Sequence, residues 1–390
     1  MRTSIIVVTG NRSAMTDRAA NEENHSFPHP PVYRFTSGIY QDYQAIERAS
    51  KDLLKQQYPR YSRFGTPMTD AVEHEITRLE GGYGSLSTCS GLAAITSVLM
   101  TFLRPGDHIL LTRTVYEPVH RFVSTFLHQL GITATFLTSA EFSHFDDYLT
   151  DKTRLIYIES PSSNIFEVTD IGAVAVQARQ KGILTVMDNT WSTPVLFNPL
   201  QHGIDVVIHS ASKYLAGHSD AVVGIITTTE QYYAPIRQYL MNAGICAGGE
   251  ESSSLYKGLK TLTIRLKNQR ETAYRLIAFL LAHPAVETVI SPHLTSHPDH
   301  ETYRKYYQYS NGLFSFSVRN TSSTRRDAFL SQFRTVKLAY GWGGVDSCLI
   351  PFTPSYTRQD DPEWLFFRVS VGLEDVDILI AEFSSALSRL

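Results

Sequence analysis

From residue 66 onward the apolar positions alternate between two periods. Val72, Ile76 and Leu79 share one face at helical spacing and are stopped by Gly81-Gly82; a short strand and a second helix, opening at Gly91, come next. Short, nearly continuous apolar runs then predict strands at His108–Thr112, 155–159, Leu184–Asp188, 206–210 and 222–227, with helical spacing between several of them, as over 171–181. Strand and helix in alternation imply a largely parallel sheet covered on both faces, an α/β architecture. Near residue 250 the texture changes: one long amphipathic helix over 252–283, strands at 313–318, 336–338 and 366–371, and a terminal helix from Asp375 predict a smaller α+β region. Before all this, Pro28, Pro30 and Pro31 and a polar helix over 44–57 read as an arm. The expected division is an arm at 1–60, an α/β domain at 61–251 and an α+β domain at 252–390.

At 390 residues, with 43% hydrophobic and 19% charged side chains, the chain can bury a large core. A formal charge of −3 without a Lys/Arg block argues against nucleic acid as a partner. The three widely spaced cysteines, Cys89, Cys246 and Cys348, suggest neither a disulfide framework nor a zinc site, which fits a reducing, cytoplasmic setting. The apolar patch at 5–8 is too short for a signal-peptide core, and Thr96, Ser97 and Thr101 interrupt the longest apolar run, so no membrane span is expected. His293, His297 and His300 fall in a loop without converging spacing; no metal is expected there, and solvated histidines are.

Two of the predicted strands end in chemistry. Val186-Met187-Asp188-Asn189 closes one with a carboxylate, and His209-Ser210-Ala211-Ser212-Lys213-Tyr214 follows another with a lysine. On neighbouring strands such a pair can grip two ends of one pyridine ring, the acid keeping the ring nitrogen protonated and the amine bonding an aldehyde, as in pyridoxal phosphate (PLP) sites. Thr88-Cys89-Ser90-Gly91-Leu92 turns a strand into a helix, where free amides face an anion and glycine allows close approach. Ser210 and Ser212 stand where their hydroxyls can donate to the same phosphate.

These segments resemble the cystathionine and methionine metabolism family of PLP enzymes, and within it the cystathionine β-lyase branch. The resemblance runs from about Tyr33 to the C-terminus. It implies the fold type I architecture of PLP-dependent transferases, with PLP bound covalently to Lys213. It further implies that the Gly91 and Leu92 amides, Ser210 and Ser212 hold the phosphate, Asp188 the ring nitrogen, and Tyr116 the ring face. Tyr61 and Arg63, in Tyr61-Ser62-Arg63, correspond to side chains that cross to a neighbouring subunit's phosphate, with Tyr61 also near substrate. A homodimer with shared active sites, paired into a tetramer, follows from that. Arg368, before Gly372-Leu373-Glu374-Asp375, corresponds to the arginine that clamps the substrate carboxylate.

The resemblance makes Lys213 and Tyr116 the catalytic pair. Trp342, in Tyr340-Gly341-Trp342-Gly343-Gly344, favours β-elimination of L-cystathionine or a related cysteine S-conjugate to a thiol (homocysteine), pyruvate and ammonia, a methionine-forming trans-sulfuration step. Gly341 departs from the serine usual in that branch, and Lys257 replaces an arginine. A γ-lyase or a β/γ-replacement enzyme is the alternative of the same class, and a non-catalytic PLP-binding regulatory protein that of another.

Overall fold

The computed structural model describes residues 28–51, 61–319, 322–354 and 364–390. The patch at 5–8, most of the predicted arm and the far end of the helix predicted over 44–57 lie outside them; the helix is described as Tyr43–Lys51.

The larger sheet has seven strands: β1 (Gly84–Thr88), β2 (His108–Thr112), β3 (Thr133–Leu137), β4 (Thr153–Glu159), β5 (Leu184–Asp188), β6 (Val206–His209) and β7 (Gly224–Thr228). Their order is β1-β7-β6-β5-β4-β2-β3. The run from β6 to β3 is parallel, while β7 pairs antiparallel with both β6 and β1. Six strands therefore point one way, and their carboxyl ends gather Thr88, Thr112, Glu159, Asp188 and His209 along one edge. Alternate side chains of each strand feed opposite cores. Leu155, Tyr157, Val186, Val206 and Ile208 pack beneath the helices Gly91–Phe102 and Glu230–Ala243, whereas Ile156, Ile158, Met187 and Val207 pack beneath Ile171–Gln180. Burial on both faces is why these strands read as continuous apolar runs.

The second sheet, in the order β10-β11-β12-β9-β8, comprises β8 (Val286–Ile290), β9 (Leu313–Arg319), β10 (Lys337–Leu338), β11 (Cys348–Phe352) and β12 (Trp364–Ser370). A third core, including Phe314, Phe316, Phe367 and Phe383, joins it to the helices Leu262–Ala282 and Val376–Leu387.

Two expectations need correction. The single helix over 252–283 is two helices, Gly249–Leu259 and Leu262–Ala282. A continuous helix would offer the Gly258 carbonyl to residue 262; instead it accepts from the Thr261 amide and hydroxyl and from Arg265 Nη2 at 2.8 Å. The loop histidines are not solvated. His297 is buried and its Nε2 lies 3.0 Å from the Ile165 carbonyl, while His293 stacks on Tyr274 at 4.4 Å. Burial, reinforced by His300, pushes His293 down to about 4.

Candidate active site

The carboxyl ends of a parallel sheet, where helix N-termini and loops converge, are where open α/β folds bind ligands. At this edge the Ser90 hydroxyl caps the helix Gly91–Phe102 by accepting the Ala93 amide at 3.0 Å. The cap leaves the Gly91 and Leu92 amides of the first turn without an intrahelical acceptor. Ser210 lies against this turn: a Cβ on Gly91 would meet its Oγ at 2.7 Å. Only glycine lets helix and serine approach so closely. Ser212 is engaged differently, donating to the Val223 carbonyl at 3.2 Å and accepting the Val223 amide at 2.9 Å. Its hydroxyl braces the loop, and Ser210 presents the freer one.

Asp188 ends β5, buried. One oxygen, Oδ1, accepts the Thr190 amide at 2.9 Å and the Thr190 hydroxyl. The other has only a long contact, 3.4 Å, from the Tyr157 phenol. Burial raises the Asp188 pKa against the Thr190 hydrogen bonds and nearby His209, which lower it. A buried carboxylate with one poorly satisfied oxygen suits a protonated ring nitrogen.

Lys213 sits on a turn held from behind. The Arg265 guanidinium, itself buried, donates to the Tyr214 carbonyl at 2.9 Å, and Gly217 packs against it with φ +69°. Gly343, at φ +78°, lets the loop containing Trp342 dock on this turn, where a Cβ would come within 2.8 Å of the Tyr214 amide. Trp342 consequently meets Tyr214 edge-on at 5.5 Å, and Lys213 Nζ lies 5.7 Å from the Trp342 ring centroid. Burial lowers the Lys213 pKa, Arg368 lowers it further, and Asp188 opposes them. A lysine so placed has a larger neutral fraction at physiological pH than a surface lysine.

Arg368 projects from β12. Its Nη2 donates to the Tyr340 carbonyl at 2.6 Å and its Nη1 to Asn164 Oδ1 at 3.4 Å. Burial pulls its pKa to about 10, with Cys348, Tyr214 and Tyr116 acting the other way. Tyr116 caps a short helix with its ring half exposed, leaving a face open to a ligand. The structure thus gathers Gly91, Leu92, Ser210, Asp188, Lys213, Tyr116, Trp342 and Arg368 at one edge. Tyr61 is exposed, and Arg63 donates to the Met241 carbonyl of its own chain at 2.5 Å while lying over the Phe64 ring.

The chain matches the Cys/Met metabolism PLP-dependent enzyme family over residues 13–388. It belongs to that family. Relatives include a putative cystathionine beta-lyase of Rhizobium johnstonii, 32% identical over 92% of this chain and 90% of that one, and cystathionine beta-lyase MetC of Escherichia coli, 31% identical over 92% and 93%. An L-alanine/L-glutamate racemase of Wolbachia pipientis is 32% identical over 93% of this chain and 92% of its own length. Among solved structures, a cystathionine gamma-lyase from Lactobacillus plantarum complexed with L-serine superposes with a TM-score of 0.82 at 27% identity, covering 92% and 93% of the two chains. The fold type I assignment and the PLP-dependent, cystathionine β-lyase-like enzyme class stand on these likenesses, and an amino-acid substrate follows. Among the described residues, no helix is long and apolar enough to cross a membrane.

Sequence reasoning missed two parts of the site. Arg265, which holds the lysine turn, hides in a helix among other charged residues. Behind Asp188, buried His209 and Glu80 pair with each other, and Asn189 Nδ2 reaches the same Glu80 oxygen at 3.3 Å. Glu80 and His209 each end an element, where a sequence pattern reads a polar residue as a cap.

Proposed function

We propose that this chain is a PLP-dependent carbon–sulfur β-lyase that cleaves L-cystathionine or a related cysteine S-conjugate to a thiol, pyruvate and ammonia, with one water consumed. The observation that carries the reading is the half-buried Lys213 amine, lowered in pKa and lying beside Trp342 within the fields of Asp188 and Arg368. PLP, linked covalently to Lys213, supplies an electron sink that makes the substrate α-proton removable. Gly91, Leu92 and Ser210 bind its phosphate, with Ser212 bracing their loop; Asp188 keeps the ring nitrogen protonated, and Tyr116 covers the ring.

Arg368 exchanges the Tyr340 carbonyl for the substrate carboxylate, whose two oxygens match its fork. Lys213, once released, takes the α-proton and delivers a proton to the departing sulfur. Trp342 closes the site on the lysine side and keeps water from it. Tyr61 and Arg63 complete the phosphate site of a second copy, making a dimer the smallest active unit and a tetramer the expected assembly. The lyase relatives support the reaction class, and the racemase relative supplies a distinct outcome to test against.

Lys213→Ala should abolish pyruvate release and visible cofactor absorbance; retention of both overturns the assignment. With wild-type enzyme and L-cystathionine, pyruvate marks β-elimination and 2-oxobutyrate γ-elimination. Racemised alanine or glutamate without thiol release would replace the lyase reading.

A further inference from the structure

Glu159 closes β4, directly paired in register with Asp188 at the end of β5. Its Oε2 accepts the Tyr116 backbone amide at 2.7 Å, and its Oε1 lies 2.6 Å from the Ser163 hydroxyl. The Thr112 hydroxyl accepts its amide at 2.8 Å. The side chain therefore spans from the strand end carrying the ring-nitrogen acid to the segment presenting the ring-covering tyrosine. We infer that Glu159 is a positioning residue for the cofactor, a neutral carboxylic acid that fixes Tyr116 relative to Asp188. The inference rests on the PLP site above and not on the reaction catalysed there.

Neutrality follows from the surroundings. Two carboxyl groups buried on adjacent strand ends cannot both ionise cheaply, and no described ion pair compensates Glu159. The titratable groups facing it are Asp188 on β5 and the Tyr157 phenol on its own strand; beyond Asp188 stand His209 on β6 and Lys213. Burial first, and Asp188 second, push Glu159 up to about 8. The Tyr116 amide donates to one oxygen and the Ser163 hydroxyl to the other; these bonds favour the charged form and are outweighed by burial and Asp188. A glutamine can reproduce both bonds; a carboxylate next to Asp188 cannot do so without repulsion.

The test is PLP affinity of the apo-protein, read by cofactor absorbance without substrate, for wild type, Glu159→Gln and Glu159→Ala. At pH 7 Glu159→Gln should bind within about threefold of wild type, and Glu159→Ala about tenfold or more weaker, one lost buried hydrogen bond. Between about pH 7 and 9 wild type should show a step in affinity absent from Glu159→Gln, because only it gains a second carboxylate beside Asp188. A tenfold loss in Glu159→Gln, or no difference in the pH profiles, overturns the inference. If Glu159→Ala fails to fold, the glutamine variant decides alone. A substrate other than a sulfur amino acid would leave these binding results untouched.

Discussion

Gly91→Ala isolates the phosphate cradle from the rest of the site. The added methyl would stand 2.6 Å from Ser210 Cβ, 2.7 Å from Ser210 Oγ and 2.8 Å from Ser210 Cα. Ordinary carbon contacts begin near 3.5 Å, so the helix start and the serine must separate by roughly an ångström. Overpacking of this kind costs about 1–3 kcal/mol of stability. The larger effect should fall on the cofactor: a hydrogen bond to a charged group contributes about 1.5–3 kcal/mol, and losing one weakens binding about ten- to hundredfold. Gly341→Ala is the control, since a Cβ there meets nothing within 4 Å, and its stability should stay within about 0.5 kcal/mol of wild type. Titrating each apo-protein with PLP while following absorbance, and comparing urea midpoints, separates the two effects. Wild-type PLP affinity in Gly91→Ala would refute the close approach of Ser210 and the helix start to one phosphate.

Two further outcomes follow from the geometry. Arg368→Lys keeps the charge and loses the planar fork, so kcat/KM for the sulfur amino acid should fall about ten- to hundredfold with PLP content unchanged; steady-state kinetics on cofactor-saturated protein checks it. His293 is held neutral down to about 4 against an ordinary 6.5, so the unfolded chain takes a proton that the folded chain refuses; stability should decline as pH falls through that window, and His293→Gln should flatten the decline in urea midpoints measured from pH 7 to 4.

The parallel strands were legible because burial on both faces leaves uninterrupted apolar runs, and their ends carried Asp188 and the Lys213 turn into view. The edge strands were not. β3 and β8 are only partly buried and lack such runs, and β11 contains Pro351, a residue that ordinarily argues against a strand. Pro351 is tolerated because β10 pairs only with Cys348 and Leu349, leaving that side of β11 open at the proline. The antiparallel direction of β7 leaves no mark on composition. Glu159 escaped notice because its partner Asp188 is 29 positions away and meets it only through strand register. The Ser212 hydroxyl, expected at the phosphate, also meets the Val223 amide and carbonyl, a loop contact with no sequence signal.

In the proposed enzyme Lys213 and Asp188 grip one PLP from opposite ends. Borohydride reduction of the purified holoenzyme, followed by peptide mass mapping, tests it most directly. The cofactor mass should fall on the peptide containing Lys213, with labelling sharply reduced in Asp188→Ala. Label on a different lysine, or undiminished label without the Asp188 carboxylate, would contradict it.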